Sequence, residues 1–244
     1  MKNLAFAGLV LLVSSAPAIA APGVGDPIYG ATIENGVTEI EARYARLTAG
    51  PADGEDGLVL ETEHAFAPNL SAAALMETGR EPNGTRRVNA LAVEGVYALG
   101  KFKPLNLDTA VYAELKHGLR GEPDAIEVKG LFEHSAGHFD SRLNLIAEKP
   151  LRSGQPTEIS YAASMDWAVW DELRLGLAAF GDLGTGRHLG GRQEHFVGPE
   201  MKFDIEHVGP GEIEIEAGWL KAFGAARDET SGQARLLIGY EFHL

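Results

Sequence analysis

The chain has 244 residues, of which 35 are acidic and 21 are Lys or Arg, giving a formal net charge of −14 at pH 7. It contains no cysteine, which argues against a small module held together by disulfides. The excess of acid argues against nucleic acid as a partner, because phosphate binding requires positive charge.

The first twenty residues have the pattern of a secretory signal peptide. Lys2 gives a short positive start, Leu4–Val13 is an apolar run, and Ala18-Ile19-Ala20 offers small residues to a signal peptidase. The apolar run is too short to cross a bilayer as a helix. We therefore expect residues 1–20 to be removed after Ala20 during export.

The rest of the chain alternates between apolar and polar residues with a period of two, in runs divided by Gly, Pro, Asn and Asp. The pattern predicts twelve strands, an even number, as a closed barrel with both ends on one side requires. They are Thr38–Leu47, Leu58–Phe66, Leu70–Thr78, Arg87–Leu99, Leu107–His117, Ala125–Ser135, His138–Lys149, Glu158–Val169, Leu173–Asp182, Glu194–His207, Glu212–Phe223 and Gln233–Leu244.

The connections between these runs alternate in length. Those after odd-numbered runs are longer and polar, whereas most of those after even-numbered runs are tight, with Gly100–Asn106 somewhat longer. Long outer loops and short periplasmic turns are typical of outer-membrane barrels. We predict an all-β fold: a closed antiparallel up-and-down transmembrane β-barrel of about twelve strands over residues 38–244. Residues 21–37 are expected to form a segment that lies in the periplasm or plugs the lumen; the alternative is that they form a further strand.

Aromatic residues recur once per hairpin, near the end of each even-numbered run and on its apolar face. They predict a girdle at the periplasmic membrane interface. Ordinary strand aromatics are the alternative, since such residues are common in sheets. The positions are Phe66, Tyr97, Phe132, Trp167, Phe203 and Tyr240.

Each run has one charged face and one apolar face, as where Glu212, Glu214 and Glu216 alternate with Ile213 and Ile215. A twelve-stranded barrel is too wide for Ile and Ala to fill, so we expect the charged faces to line a wet lumen and the apolar faces to meet lipid. Two packed sheets of six strands remain the alternative.

The strand positions on the charged faces carry about three acids per base, so a hydrated pore lined by them would favour cations. The alternative is that these charges pair across strands and plug a narrow structural barrel. The predicted pore-lining residues are Glu61, Glu63, Glu114, Glu127, Arg142, Asp166, Glu200, Asp204, Glu214, Glu216 and Arg235.

The last eight residues resemble the C-terminal insertion signal of bacterial outer-membrane proteins. Gly239 matches the glycine of this signal, and Phe242 and Leu244 match its two large apolar residues. The chain departs from the usual pattern in two places: it ends in Leu244 where Phe is usual, and it has Leu237 where a polar residue is common. More loosely, the chain resembles small porin-like barrels grouped with meta-pathway phenol-degradation transporters. The resemblance implies the outer membrane of a Gram-negative cell, with the barrel-assembly machinery, membrane lipids and lipopolysaccharide as partners.

Other chemistries have weaker support in the sequence. A lipid-modifying enzyme would need a Ser–His pair on one face, but the parity separates His138 and Asn144 from Ser141. The eight histidines lack metal-ligand spacing, and no phosphate-cradling motif is present. The loop bases Arg187, His188 and Arg192 face either solvent or lipopolysaccharide phosphates.

These observations give the functional prediction. We predict no catalytic residues, no metal and no cofactor, and a passive, cation-preferring pore or uptake channel for small solutes. A non-conducting structural or interaction barrel is the first alternative, and a lipid-modifying outer-membrane enzyme is the second.

Overall fold

The computed structural model describes residues 26–243. The signal peptide expected at residues 1–20, its cleavage site after Ala20, and Leu244 of the expected insertion signal lie outside the described residues.

Thirteen strands follow one another, with two short 3-10 turns between them. The turns are Lys103–Leu105 and Ala225–Asp228, and no helix in the described range is long and apolar enough to cross a membrane. The strands are β1 Val37–Thr48, β2 Asp56–Ala67, β3 Leu70–Arg80, β4 Arg87–Phe102, β5 Leu107–Gly118, β6 Ala125–Ala136, β7 Phe139–Pro150, β8 Glu158–Trp170, β9 Leu173–Thr185, β10 His188–Leu189, β11 Glu194–Val208, β12 Gly211–Gly224 and β13 Gly232–His243.

Twelve long strands form a closed antiparallel barrel. Each pairs with its neighbours along the chain, and β1 pairs with β13 from Val37↔His243 to Thr48↔Gly232, which closes the cylinder. β10 is an extra two-residue strand that pairs with the end of β9. Closure leaves no long strand with an unpaired edge. The predicted all-β class and the closed barrel of about twelve strands are therefore confirmed.

The two ends of the barrel differ in their connections. At the short-turn end, four connections contain only two residues: 68–69, 137–138, 171–172 and 209–210. The fifth, between β4 and β5, carries the 3-10 turn Lys103–Leu105. At the long-loop end the connections span 49–55, 81–86, 119–124, 151–157, 186–193 and 225–231. Gly137 and Gly209 have φ angles of 63° and 65°, the left-handed backbone that these tight turns need.

The wall of the barrel reverses the polarity of a water-soluble protein. Outward side chains are large and apolar, with Leu115 60% exposed and Val93 56% exposed, whereas the neighbouring Glu114 and Glu94 are 5% and 6% exposed. Side chains alternate between the two faces of a strand, so this contrast of adjacent residues recurs around the wall. Packing of two apolar sheet faces against each other, the alternative considered above, is not what the chain adopts.

Candidate functional site

The predicted pore-lining residues lie on the inward faces of the strands. Glu61, Glu63, Arg142, Glu214 and Glu216 border one cavity of about 430 Å³. Glu200 and Arg235 border a smaller space beside Phe180, and Glu114, Glu127 and Asp166 are buried within the barrel. Asp204 pairs in register with Glu214. The parity read from the sequence therefore brings these side chains into one interior.

The larger cavity is strongly acidic and lies toward the short-turn end. Two guanidinium groups, of Arg43 and Arg142, line it. Eight carboxylates line it as well: Glu34, Glu39, Glu41, Glu61, Glu63, Glu214, Glu216 and Glu241. Acids outnumber bases four to one there, so the cavity wall presents a negative potential to any solute that enters.

At mid-height, buried bases bridge acidic side chains that come from different strands. Arg43 contacts Glu41 and lies 2.6 Å from Glu61, which is the register partner of Glu41. Lys202 Nζ lies 2.9 Å from Glu216 and 3.7 Å from Asp166. Like charges placed directly opposite would repel, and these bridging bases offset that repulsion. In this part of the lumen the charges pair across strands, which was the alternative to an open acidic pore.

Toward the short-turn end, the facing acids lack such bases. Glu39 is the register partner of both Glu241 and Glu63. Among residues 26–243, none of these three carboxylates takes part in an ion pair with Lys or Arg. Carboxylate oxygens of Glu39, Glu214 and Glu241 lie within 4.8 Å of one another, close enough to hold a hydrated or coordinated cation. Because the three residues come from three strands, their proximity depends on register, which the sequence pattern does not give.

Residues 26–36 run through the lumen before β1 begins. The Tyr29 amide donates to Asn144 Oδ1 at 2.8 Å, and Asn144 Nδ2 donates to the Tyr29 carbonyl at 2.9 Å. The Ala31 amide donates to Glu133 Oε2 at 2.8 Å. Side chains of β6 and β7 therefore bind the backbone of this segment, in the way that the backbone of a neighbouring strand binds a strand in a sheet.

Two tyrosines enclose a buried lysine beneath this segment. Lys129, 1% exposed, lies 4.6 Å from the ring centroid of Tyr29 and 4.4 Å from that of Tyr112. The hydroxyl oxygens of Tyr29 and Tyr112 lie 3.1 Å and 2.6 Å from carboxylate oxygens of Glu94. Cation–π attraction and hydrogen bonds together hold the segment at mid-lumen. Neither Tyr29 nor Tyr112 was predicted as a functional residue, since a single tyrosine carries no periodic signal in the sequence.

Asp26 adds an acidic side chain to this contact. The Asp26 carbonyl accepts a hydrogen bond from Arg235. Burial by itself raises the pKa of the Asp26 carboxyl, but the positive charges of Lys129, Lys116, Arg235 and Arg43 outweigh burial and lower that pKa below its ordinary value. The segment therefore places an acidic side chain among lumen bases.

The long-loop end of the lumen is apolar, contrary to the expectation of a charged interior throughout. Phe180, Phe196 and Leu220 point inward, each 2% exposed or less, and pack with Ile28 of the segment. Ala52 and Ala226, from the first and last long loops, complete the cluster. The prediction of a wet lumen assumed that only Ile and Ala side chains were available to fill the interior of the barrel. Two phenylalanines, two loops and the N-terminal segment supply the missing volume.

The predicted girdle residues lie on the outer wall near the short-turn end. Phe66, Tyr97, Trp167 and Phe203 are 64%, 47%, 55% and 37% exposed, whereas Phe132 and Tyr240 are half-buried. Several pair in register with the first residue of the preceding long strand, as Tyr97 does with Leu70. Their shared end is consistent with one band around the barrel.

The C-terminal residues lie in β13. Gly239 is buried, and a Cβ there would come within 2.5 Å of Glu39 Oε1, so the glycine makes room for an acid of the cavity. Phe242 stacks on Tyr240, with ring centroids 5.5 Å apart.

The residues considered for other chemistry are not brought together. Asn144 is buried and holds Tyr29, whereas His138 stacks on Trp167 at the short-turn end. In the long loops, Arg192 forms an ion pair with Asp228 at 2.6 Å, and this hydrogen bond holds the pKa of Asp228 below its ordinary value. Part of the basic loop cluster is thereby neutralised within the chain.

The fold is similar to that of two solved outer-membrane proteins. An outer membrane channel from Pseudomonas putida F1 superposes with a TM-score of 0.61 at 12% identity, over 90% of this chain and 99% of that one. KdgM porin superposes with a TM-score of 0.56 at 11% identity, over 84% and 99%. No protein-family model matches the chain, and no curated protein matches its sequence. The expected resemblance to porin-like outer-membrane barrels is confirmed at the level of fold.

Proposed function

We propose that this chain is an outer-membrane channel through which small hydrophilic solutes pass passively, with cations preferred over anions. The observation that carries the proposal is the acidic cavity behind an apolar wall, where eight carboxylates face two guanidinium groups. A negative lumen attracts cations and repels anions. The fold shared with outer-membrane channels supports the same reading.

The membrane setting belongs to this proposal. A closed barrel satisfies its own backbone hydrogen bonds, and the exposed apolar wall matches what lipid requires. The short-turn end then faces the periplasm and the long-loop end the exterior. The signal peptide, the Gram-negative host and insertion by the barrel-assembly machinery through Gly239, Phe242 and Leu244 follow from the sequence and are part of the proposal.

A second candidate is a barrel that does not conduct. The specific observation in its favour is the filled lumen, with residues 26–36 at mid-height and the Phe180–Phe196–Leu220 cluster at the long-loop end. In the channel proposal, conduction requires this segment to move. The lipid-modifying enzyme has no comparable support, because Ser141 and Asn144 lie on opposite faces of β7.

Planar-bilayer recording of the refolded protein tests the proposal. We expect discrete current steps and, in a salt gradient, a reversal potential of the sign that marks cation selectivity. The variant lacking residues 26–36 should conduct more than the full chain. Absence of current from both proteins would contradict the channel and favour the non-conducting barrel.

A further inference from the structure

Three arginines meet on the outer wall at the long-loop end of the barrel. Arg46 lies on the outward face of β1, Arg80 ends β3, and Arg86 precedes β4. They surround Asp56, the first residue of β2, which is the register partner of both Arg46 and Arg80. The cluster carries three positive charges and one negative charge in a chain whose overall charge is −14.

Asp56 fixes the positions of two of these guanidinium groups. Its side chain is fully buried: Oδ1 accepts a hydrogen bond from Arg86, and Oδ2 is ion-paired with Arg80 and lies 3.4 Å from the Tyr44 hydroxyl, which donates to it. Arg86 Nη1 also donates to Thr78 Oγ1 at 2.9 Å, and its guanidinium lies 5.9 Å from the ring centroid of Tyr44. The side chains of Arg80 and Arg86 remain 37% and 32% exposed, so each guanidinium group keeps N–H groups for a further acceptor.

Arg46 adds a charge that the chain leaves unbalanced. It is exposed and takes part in no ion pair among residues 26–243. The outward side chains nearest the patch toward mid-wall include Ile40 on β1, 53% exposed, and Leu60 on β2, 41% exposed, and both are apolar. The wall therefore changes from a surface suited to acyl chains to an ordered cationic patch at its outer end.

We propose that Arg46, Arg80 and Arg86 bind the phosphate groups of lipid A in the outer leaflet of the outer membrane. This inference rests on the proposed membrane setting. Guanidinium groups bind phosphate oxygens through paired hydrogen bonds and are weakly hydrated, which suits a site at the edge of hydrocarbon. Lipid A joins acyl chains to phosphorylated sugars, so one molecule can cover both the apolar wall and the patch. Asp56 is the positioning residue.

The test measures binding of bis-phosphorylated lipid A to the refolded full chain in detergent, with chemically dephosphorylated lipid A as reference. We expect the phosphorylated lipid to bind about tenfold or more tightly, the effect of one charge-assisted hydrogen bond on a dissociation constant. The variant Arg46→Gln/Arg80→Gln, which leaves Asp56 paired with Arg86, should lose most of this preference.

The matched control is Arg120→Gln/Arg152→Gln, which removes two exposed charges from long loops at the same end. It should keep the preference for phosphorylated lipid A. Equal loss in both double variants, equal binding of the two lipids, or full displacement of lipid A by inorganic phosphate would each overturn the proposal. Because the assay reads binding and not current, its result is independent of whether the barrel conducts.

Discussion

Asn144 holds Tyr29 by both hydrogen-bonding groups of its amide, at 2.8 Å to the backbone nitrogen and 2.9 Å from the backbone oxygen. The two residues are 115 positions apart in the chain, and Asn144 is fully buried. A side-chain amide that satisfies one donor and one acceptor of a peptide acts here as the partner strand that Tyr29 lacks.

Asn144→Ala should therefore loosen residues 26–36. Losing both hydrogen bonds should weaken docking of the segment by ~1–3 kcal/mol, because the Tyr29 peptide stays buried without partners. A cysteine introduced as Ala31→Cys, at a position only 2% exposed, reports the change through its rate of maleimide labelling, since the natural chain has no cysteine. Asn69→Ala, in a two-residue turn, is the control that should leave the rate unchanged. Unaltered labelling in Asn144→Ala would mean that other contacts hold the segment.

The outer wall and the lumen should respond differently to charge. Leu143→Arg places a cation on an outward position of β7 and should lower the free energy of unfolding in lipid vesicles by ~2–4 kcal/mol if it faces the bilayer midplane. Glu214→Gln, on an inward face beside the cavity, should change the unfolding free energy much less. Urea titration in vesicles compares the two. Equal tolerance of both changes would refute the membrane assignment of the wall.

The unpaired acids near the short-turn end should set ion selectivity. Glu39→Gln/Glu241→Gln removes two facing carboxylates and should move the reversal potential toward zero in a salt gradient, because the lumen becomes less negative. The control Glu81→Gln/Glu122→Gln changes the same charge on exposed loop residues. If the control shifts the reversal potential as far as the lumen variant does, selectivity arises outside the cavity.

The apolar cluster at the long-loop end should limit passage. Phe196→Ala should lower the free energy of unfolding by ~3–5 kcal/mol, the usual cost of emptying a packed aromatic site, and should raise conductance by opening that end. Phe203→Ala, on the outward face of the same strand, should leave conductance unchanged. Urea titration and bilayer recording supply the two measurements. A Phe196 variant that is less stable yet conducts no better would remove the cluster from the permeation path.

The sequence was sufficient for features that repeat locally. Strand positions and the inward parity of residues such as Glu61 and Asp166 depend only on a period of two, which neighbouring residues reveal. The contacts of Tyr29 were not predictable, because they join an aperiodic segment to residues 65 and 115 positions away. The apolar cluster was predictable from the sequence, because Phe180 and Phe196 lie on the same faces of their strands as the charged residues and must therefore point inward.

The pairing of β1 with β13 also bears on how the barrel forms. Thr48 and Gly232 are 184 positions apart, yet they lie in one ladder, joined by a hydrogen bond of 3.0 Å from Thr48 Oγ1 to the Gly232 carbonyl. Closing so long a stretch of chain costs entropy that only the completed ladder repays. Until that seam forms, the edges of β1 and β13 are open to pairing with other chains. A chaperone that shields these two edges before the seam closes would therefore protect the chain from aggregation.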